Sequence, residues 1–128
     1  MAVAVLASCE AVRFAVSVAI GRSRPPQSDW ATTAGGYAFP SGHTTSATVV
    51  AALLCLAVVL RGSGARWGPV AYGAAVTWAV AVGATRVYLG VHWPTDVVGG
   101  WLLGTALTAG GWALFSGRIR RATTGRLP

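Results

Sequence analysis

The chain has two histidines, His43 and His92, and each stands beside residues that suit catalysis. His43 ends the sequence PSGH, and His92 stands four residues before Asp96 in HWPTD. A neutral imidazole can attack phosphorus, and a second imidazole can protonate the oxygen that leaves. The attacking ring needs an acceptor that fixes its tautomer, and a carboxylate at this spacing suits that role. His92, His43 and Asp96 are therefore the candidate catalytic residues.

Several arginines and a tight turn accompany these residues. A guanidinium fork can bind two oxygens of one oxyanion, so Arg24 and Arg86 are candidate phosphate ligands, with Arg22 as an additional candidate. Gly42 lacks a side chain where a backbone amide could approach a ligand. Ser41 opens the predicted second helix, where unpaired N–H groups favour an anion. Together these features predict a phosphate pocket.

Each feature taken alone also has a simple structural interpretation. His92 beside a tryptophan and a proline is typical of an interfacial residue. Asp96 in the first turn of a helix complements the helix dipole. Ser41 in PSGH suits a helix cap, and Arg24 suits a loop. The phosphate interpretation therefore depends on all of these residues lying together on one face.

The composition indicates a membrane protein. The 128 residues are 54% hydrophobic and 10% charged, whereas a soluble domain is usually about 25% charged. The net charge is +7, and all the basic residues are arginines. Most of them lie between apolar runs or in the tail, so a nucleic-acid partner is not expected. Cys9 and Cys55 lie inside apolar runs and show no metal or disulfide spacing.

Four apolar segments are about long enough to cross a hydrocarbon core. They are Ala2 to Ile20, Thr44 to Leu60, Gly68 to Ala84 and Val97 to Phe115. Period-two alternation is absent, so the sequence predicts an all-α membrane bundle of about four transmembrane helices. The expected organisation is one membrane-embedded domain over residues 1–118 and a short basic cytoplasmic tail over residues 119–128.

Two residue pairs inside these segments predict contacts between helices. Glu10 and Arg13 lie one turn apart and are expected to pair on a side of the first helix that faces protein. Gly100 and Gly104 form a GxxxG pair, which lets helices approach closely in lipid. The abundance of small residues in the chain explains that glycine pair equally well.

The arginines predict the orientation of the bundle. Arg61 and Arg66 lie between the second and third segments, and four more follow the last segment: Arg118, Arg120, Arg121 and Arg126. If four helices alternate, both regions fall on one side, which the positive-inside rule makes cytoplasmic. The long loop from Gly21 to Pro40 and both histidines then lie on the outer face. An integral protein of the plasma membrane, with its site outside, is expected.

In this order, the motifs resemble the type 2 phosphatidic acid phosphatase family of membrane lipid phosphatases, which is related to the vanadium haloperoxidases. The family pattern has a lysine, six residues and Arg-Pro, then Pro-Ser-Gly-His, then Ser-Arg, five residues, His, three residues and Asp. This chain has SVAIGRSRP, PSGH and TRVYLGVHWPTD. The resemblance covers Ser17 to Gly100, with Ser17 in place of the lysine and Thr85 in place of the serine.

The resemblance implies a role for each matching residue. His92 would be the nucleophile that forms a phosphohistidine, Asp96 would orient it, and His43 would be the general acid for the leaving group. The expected phosphate ligands are Arg24, Ser41, the Gly42 amide and Arg86. The resemblance implies neither a metal nor a cofactor. Arg22 is the candidate to replace the charge of the missing lysine.

The resemblance also implies a substrate and leaves alternatives open. The expected substrate is a lipid phosphate or diphosphate in the bilayer, of the polyprenyl diphosphate, phosphatidic acid or phosphatidylglycerol phosphate class. The family typically has six helices, so this chain is expected to be a fragment, to have a misassigned start, or to be a short member completed by another copy in a homo-oligomer. The alternatives are an inactive member with a structural role and a vanadate-holding haloperoxidase-like enzyme. The apolar segments argue against the latter, because those relatives are soluble.

Overall fold

The computed structural model describes residues 2–61 and 64–124, with side chains described for residues 3–61 and 67–117. Four α-helices follow one another in the chain. They are α1 (Ala2–Ile20), α2 (Gly42–Leu60), α3 (Gly64–Tyr88) and α4 (Pro94–Thr124). A single 3-10 turn, Gln27–Asp29, interrupts the α1–α2 loop, and no strand occurs in the described residues. The all-α prediction is confirmed.

Helix α1 matches its predicted segment, whereas α2, α3 and α4 extend beyond theirs, because the turns at their ends are also helical. The third segment was expected to end at Ala84, but α3 continues for one further turn to Tyr88. Helix α4 begins at Pro94, where a missing N–H costs nothing, and it runs past residue 118 to Thr124. The division into a domain and a tail at residue 118 stays a prediction.

Helix α2 is the centre of the bundle, since it packs against each of the other three helices. Its approach to α4 depends on the predicted glycine pair. A Cβ at Gly100 would lie 2.9 Å from Cβ of Thr44, and a Cβ at Gly104 would lie 2.8 Å from Cβ of Thr48. The two glycines therefore allow a backbone distance that a larger residue would prevent. Close approach, rather than composition alone, accounts for this pair.

The exterior of the bundle is apolar. A small cluster of alanines on α2 and α3 forms the core (Ala47, Ala51, Ala75 and Ala79). Large apolar side chains such as Phe14, Leu102 and Leu114 are more than 60% exposed. All four helices are long and apolar enough to cross a membrane, with spans at Val3–Ile20, Gly42–Leu60, Trp67–Tyr88 and Pro94–Gly117. The chain is an integral membrane protein, and its exposed apolar surface suits lipid.

The α1–α2 loop packs on the short connection between α3 and α4. The amide of Ala31 donates to the carbonyl of Leu89, and the indole N–H of Trp93 donates to the carbonyl of Ser23. The amide of Ser41, at the end of the loop, donates to the carbonyl of Asp96. These bonds bring the PSGH turn and the start of α4 to the same end of the bundle.

Candidate active site

His92 and Asp96 are in contact at the start of α4. The Nδ1 atom of His92 lies 3.4 Å from Oδ2 of Asp96, and both side chains are almost fully buried. The same carboxylate oxygen accepts the backbone N–H of Trp93 at 2.8 Å. Asp96 therefore both caps the first turn of α4 and holds the imidazole, so the structural and functional interpretations of this carboxylate apply together.

Arg24 lies on the other side of the His92 ring. Its Nη1 atom donates to the carbonyl of Val91 at 2.8 Å and lies 3.1 Å from Nε2 of His92. Two further carbonyls, of Gly35 and Gly36, accept from Nη2 and Nε of the same guanidinium. The loop thus holds Arg24 in one orientation against the imidazole.

These two contacts determine the tautomer of His92. A guanidinium has only donors, so Nε2 of His92 must accept from Arg24. The ring proton then resides on Nδ1, from which it is donated to Asp96. Nε2 therefore keeps its lone pair, and it is with this lone pair that a nucleophilic imidazole attacks. His92 also lines the cavity described below.

The electrostatic surroundings keep His92 neutral. Burial lowers the pKa of His92, the positive charge of Arg24 lowers it further, and the hydrogen bond and charge of Asp96 oppose both effects. Burial also lowers the pKa of Arg24, against the opposing charge of Asp96, but a guanidinium ordinarily titrates far above neutrality. At neutral pH the pair is a neutral imidazole beside a cation.

Arg22 contacts the carboxylate behind the imidazole. Its Nη1 atom donates to Oδ1 of Asp96 at 3.0 Å and to the hydroxyl of Thr95 at 2.6 Å. Its guanidinium also lies 6.0 Å from the centre of the Trp93 ring, within reach of a cation–π interaction. Arg22 is not among the residues that line the cavity. The described contacts of Arg22 are therefore with Asp96, Thr95 and Trp93, and its role as a phosphate ligand stays a prediction.

The PSGH turn links the start of α2 to the start of α4 through a hydrogen bond. Ser41 is fully buried, and its amide donates to the carbonyl of Asp96 at 3.0 Å. Its side chain makes no helix-capping bond. Instead, its hydroxyl oxygen accepts from the hydroxyl of Thr44. Gly42 and His43 follow Ser41 and line the cavity, where the His43 ring is exposed.

Arg86 lies in the last turn of α3 and is half-buried. Its guanidinium makes only long contacts, at 3.4 Å, with the hydroxyl of Thr85. It is not itself a lining residue, although Val82, one turn earlier, lines the cavity. The charges of Arg86 and Arg24 both act on the imidazole of His43. Arg86 is therefore near the predicted site without a strong partner among the described residues.

The cavity has a volume of about 790 Å³ and two kinds of wall. The polar wall includes Arg24, Gly42, His43 and His92. The apolar wall comes from α1, α2 and α3 (Phe14, Val18, Val50, Trp78 and Val82). Among the described residues, α1 and α3 both pack on α2 but not on each other. The cavity is therefore a cleft over α2 between these two helices, and its shape and chemistry suit an amphiphile with an anionic head.

Sequence reasoning missed one part of this cavity, the charged pair in the middle of α1. Arg13 and Glu10 form the expected ion pair, with Nε of Arg13 donating to Oε2 of Glu10 at 2.7 Å. Both also line the cavity, as does the buried Ser17. The signal was present, because an ionisable residue inside a membrane helix is by default a candidate functional residue.

The described residues contain no group of three or more histidine, cysteine, aspartate or glutamate side chains that could hold a metal ion. Cys9 is buried and Cys55 is partly buried, and neither forms a disulfide.

Comparison with known proteins places this arrangement in a family. The model of the PAP2 superfamily matches residues 1–120. A crystal structure of a transmembrane PAP2-type phosphatidylglycerolphosphate phosphatase from Bacillus subtilis superposes with a TM-score of 0.80 at 30% sequence identity. That superposition covers 94% of this chain and 58% of the Bacillus chain.

Curated relatives are similar over part of their length. An undecaprenyl-diphosphatase of Sulfolobus acidocaldarius is 39% identical over 69 residues, which is 54% of this chain and 29% of the relative. Phosphatidylglycerophosphatase B of Bacillus subtilis is 40% identical over 72 residues, or 56% and 36%. Phosphatidylglycerophosphatase B of Escherichia coli K12 is 42% identical over 74 residues, or 58% and 27%. Each match thus spans about a third of the relative's length.

Proposed function

Because this chain belongs to the PAP2 superfamily, whose model matches residues 1–120, we propose that it hydrolyses a phosphate or diphosphate ester of a membrane lipid. The observation that carries this proposal is the row of contacts from Arg24 through the His92 ring to Asp96, at the polar wall of an apolar cleft. The neutral imidazole and the fixed cation suit the phosphate head of such a lipid, and the apolar wall suits its tail.

In the proposed first step, Nε2 of His92 attacks phosphorus and the bond from phosphorus to the leaving oxygen breaks. The phosphorylated ring keeps its proton on Nδ1 and becomes positively charged. The Asp96 carboxylate stabilises that charge through the same hydrogen bond. Arg22 and the amide of Trp93 hold the carboxylate in place. The products of this step are a phosphohistidine and the dephosphorylated leaving group.

The proposed second participant is His43. In the complex with substrate, the negative charge of the phosphate favours the imidazolium form of His43 against the nearby arginines. That imidazolium donates a proton to the leaving oxygen, which is the alkoxide of a monoester or the lipid phosphate of a diphosphate. The neutral ring then takes a proton from the water that attacks the phosphohistidine and releases inorganic phosphate. The support for this role is the exposed position of His43 on the wall that also carries His92.

The proposed phosphate ligands are Arg24, Ser41, the Gly42 amide and Arg86. Arg24 is supported most directly, because its Nη1 atom already lies 3.1 Å from the attacking nitrogen. A phosphate oxygen that replaces this contact would leave the Nε2 lone pair for attack on phosphorus. Ser41 is fully buried and is not a lining residue of the cavity, so its proposed role comes from the family pattern. No metal enters the proposed steps.

We further propose that the site faces the outside of the plasma membrane. Helices α2 and α4 both begin beside the site, so their carboxyl ends lie at the opposite end of the bundle. Arg61 is the C-cap residue of α2, and Arg118, Arg120 and Arg121 lie in the last turns of α4. Basic residues favour the cytoplasmic side. A lipid phosphate would then enter from the outer leaflet through the cleft between α1 and α3.

The proposal is tested with the chain purified in detergent. Wild-type protein should release inorganic phosphate from a polyprenyl diphosphate, phosphatidic acid or phosphatidylglycerol phosphate, whereas His92→Ala should release none and remain folded. Wild-type activity should persist in a strong chelator of divalent cations and be inhibited by vanadate. A folded wild-type chain that releases no phosphate from any of the three lipids would refute the proposed function and favour a structural role in the membrane.

The intermediate is tested separately from turnover. After brief mixing with a lipid labelled with ³²P, acid-labile and base-stable label should appear on wild-type protein, as expected for a phosphohistidine. His92→Ala should carry no label. Label that survives acid, or that remains in the His92→Ala variant, would exclude this intermediate even if phosphate is released.

A further inference from the structure

Arg13 occupies an unusual position for a charged residue. It lies near the middle of α1, inside a span of 18 residues that is otherwise apolar enough to cross a membrane. Its side chain is 20% exposed and lines the same cavity as His43 and His92. A charge at this depth is costly unless it meets an opposite charge.

The guanidinium of Arg13 lies against the backbone of Gly42. A Cβ at Gly42 would lie 3.4 Å from both Cζ and Nε of Arg13. Gly42 follows the N-cap residue of α2, where backbone N–H groups lack helical acceptors. Arg13 thus brings a cation from α1 to the part of the cavity where α2 begins.

Glu10 binds the guanidinium of Arg13 through its Nε atom only. Oε2 of Glu10 accepts from Nε of Arg13, and its Oε1 accepts from the hydroxyl of Ser46 on α2. The two terminal nitrogens of Arg13 have no hydrogen-bond partner among the described residues. No buried side-chain nitrogen or oxygen in the described part lacks a partner, so these nitrogens are accessible. The carboxylate therefore fixes the side chain and leaves its fork available for a second anion.

We propose that Arg13 is a phosphate-binding residue of this cavity and that Glu10 is the residue that positions it. This inference rests on the proposed function only for its substrate, a lipid phosphate, because the geometry by itself describes an anion site. The fork binds oxygens of the phosphate group on the Gly42 side of the cavity, while Arg24 binds beside the nucleophile. Among the described arginines, Arg13 and Arg24 line this cavity.

Arg13 also lies close to position 17, where the family pattern has a lysine. Ser17 lies one turn after Arg13 on the same side of α1, and it is buried and lines the cavity. In this proposal, Arg13 supplies from one helical turn earlier the cation that the family pattern has at position 17. Arg22, the candidate from sequence, is engaged by Asp96 instead.

The test compares Arg13→Ala with wild type and with the matched control Arg61→Ala, whose arginine lies at the far end of α2. Arg13→Ala should weaken inhibition by inorganic phosphate and lower kcat/KM for the lipid phosphate, each by roughly ten- to a hundredfold, because a charge-assisted hydrogen bond is lost. Arg61→Ala should match wild type in both. The double variant Arg13→Ala with Ser17→Lys should recover part of the loss, which a purely structural role for Arg13 would not allow.

A binding measurement separates this inference from the proposed function. Inorganic phosphate should raise the Tm of detergent-purified wild type and of Arg61→Ala, and the increase should shrink in Arg13→Ala. If Arg13→Ala does not fold, Arg13→Gln replaces it, since its amide can still donate to Glu10. Loss of the phosphate-dependent shift supports the anion site even if wild type proves inactive. If the phosphate-dependent increase in Tm and the kcat/KM of the variant both equal those of wild type, the proposed role of Arg13 is overturned. The phosphatase proposal is unaffected by that result.

Discussion

At the scale of single residues, both oxygens of Asp96 are in use. Oδ1 accepts from Arg22, whereas Oδ2 accepts from the amide of Trp93 and faces Nδ1 of His92. All of these partners are donors, so only a group with acceptors on both sides satisfies them. This explains why a carboxylate, rather than an amide, suits this position.

Asp96→Asn is therefore expected to lower kcat by roughly 10²–10⁴-fold. Either orientation of the amide points its NH₂ group at a donor, at Arg22 in one case and at His92 in the other. In the second orientation the imidazole changes tautomer and loses its lone pair on Nε2. Phosphate release from one lipid substrate, with the far-UV spectrum as a check of folding, measures the effect. An unchanged kcat would exclude the pairing of Asp96 with His92.

The surroundings of His92 also predict a pH dependence. The pKa of His92 is lowered by burial and by Arg24, so the neutral imidazole persists to lower pH than it would in an unperturbed histidine. Activity is then present above this pKa and is lost as the pH falls through it. Arg24→Gln removes a positive charge, so the acid limb of kcat/KM should move to higher pH. Both proteins are measured on the same substrate, so that ionisation of the substrate affects both profiles equally. An acid limb at the same pH in both proteins would contradict the assignment of that limb to His92.

At the scale of secondary-structure elements, the contact between α2 and α4 determines whether the site is assembled. His43 lies in the first turn of α2 and Asp96 in the first turn of α4. The amide of Ser41 donates to the carbonyl of Asp96 across this interface. The close approach at Gly100 and Gly104 supports that bond farther along the same pair of helices. Packing in the membrane interior is therefore coupled to the geometry of the site.

This coupling predicts different outcomes for two glycine substitutions in α4. A Cβ at Gly104 would meet Cβ of Thr48 at 2.8 Å, whereas a Cβ at Gly111 has no neighbour within 4 Å. Both gain the same helix propensity, so Gly104→Ala should be less stable than Gly111→Ala by about 1–3 kcal/mol. Thermal unfolding in detergent measures the difference. Equal stabilities would show that the two helices are not closely packed at Gly104.

At the scale of the whole molecule, one end of the bundle carries the site and the other carries the basic ends of α2 and α4. The orientation proposal therefore predicts opposite labelling at the two ends. In a chain with Cys9→Ala and Cys55→Ala, a cysteine at Thr33 should react with an impermeant thiol reagent in intact cells, and one at Thr124 should react only after lysis. Labelling of position 124 in intact cells would reverse the orientation.

The sequence by itself determined the features that depend on local spacing and composition. Four apolar stretches of sufficient length predicted four helices, because a bilayer leaves few other ways to satisfy the backbone. The contact of His92 with Asp96 and the pair of Glu10 with Arg13 followed from spacings of four and three residues. The order of the motifs predicted the family, which the match over residues 1–120 confirmed.

The tertiary structure decided which arginines reach the cavity. Arg22 was the expected substitute for the missing lysine, yet it binds Asp96, 74 residues away in the chain, whereas Arg13 lines the cavity. A membrane helix that is apolar on most sides carries little information about which side faces its neighbours, because lipid and protein interior are similarly apolar. The rotation of α1, and the path of the loop that follows it, are fixed only by packing against α2 and the start of α4.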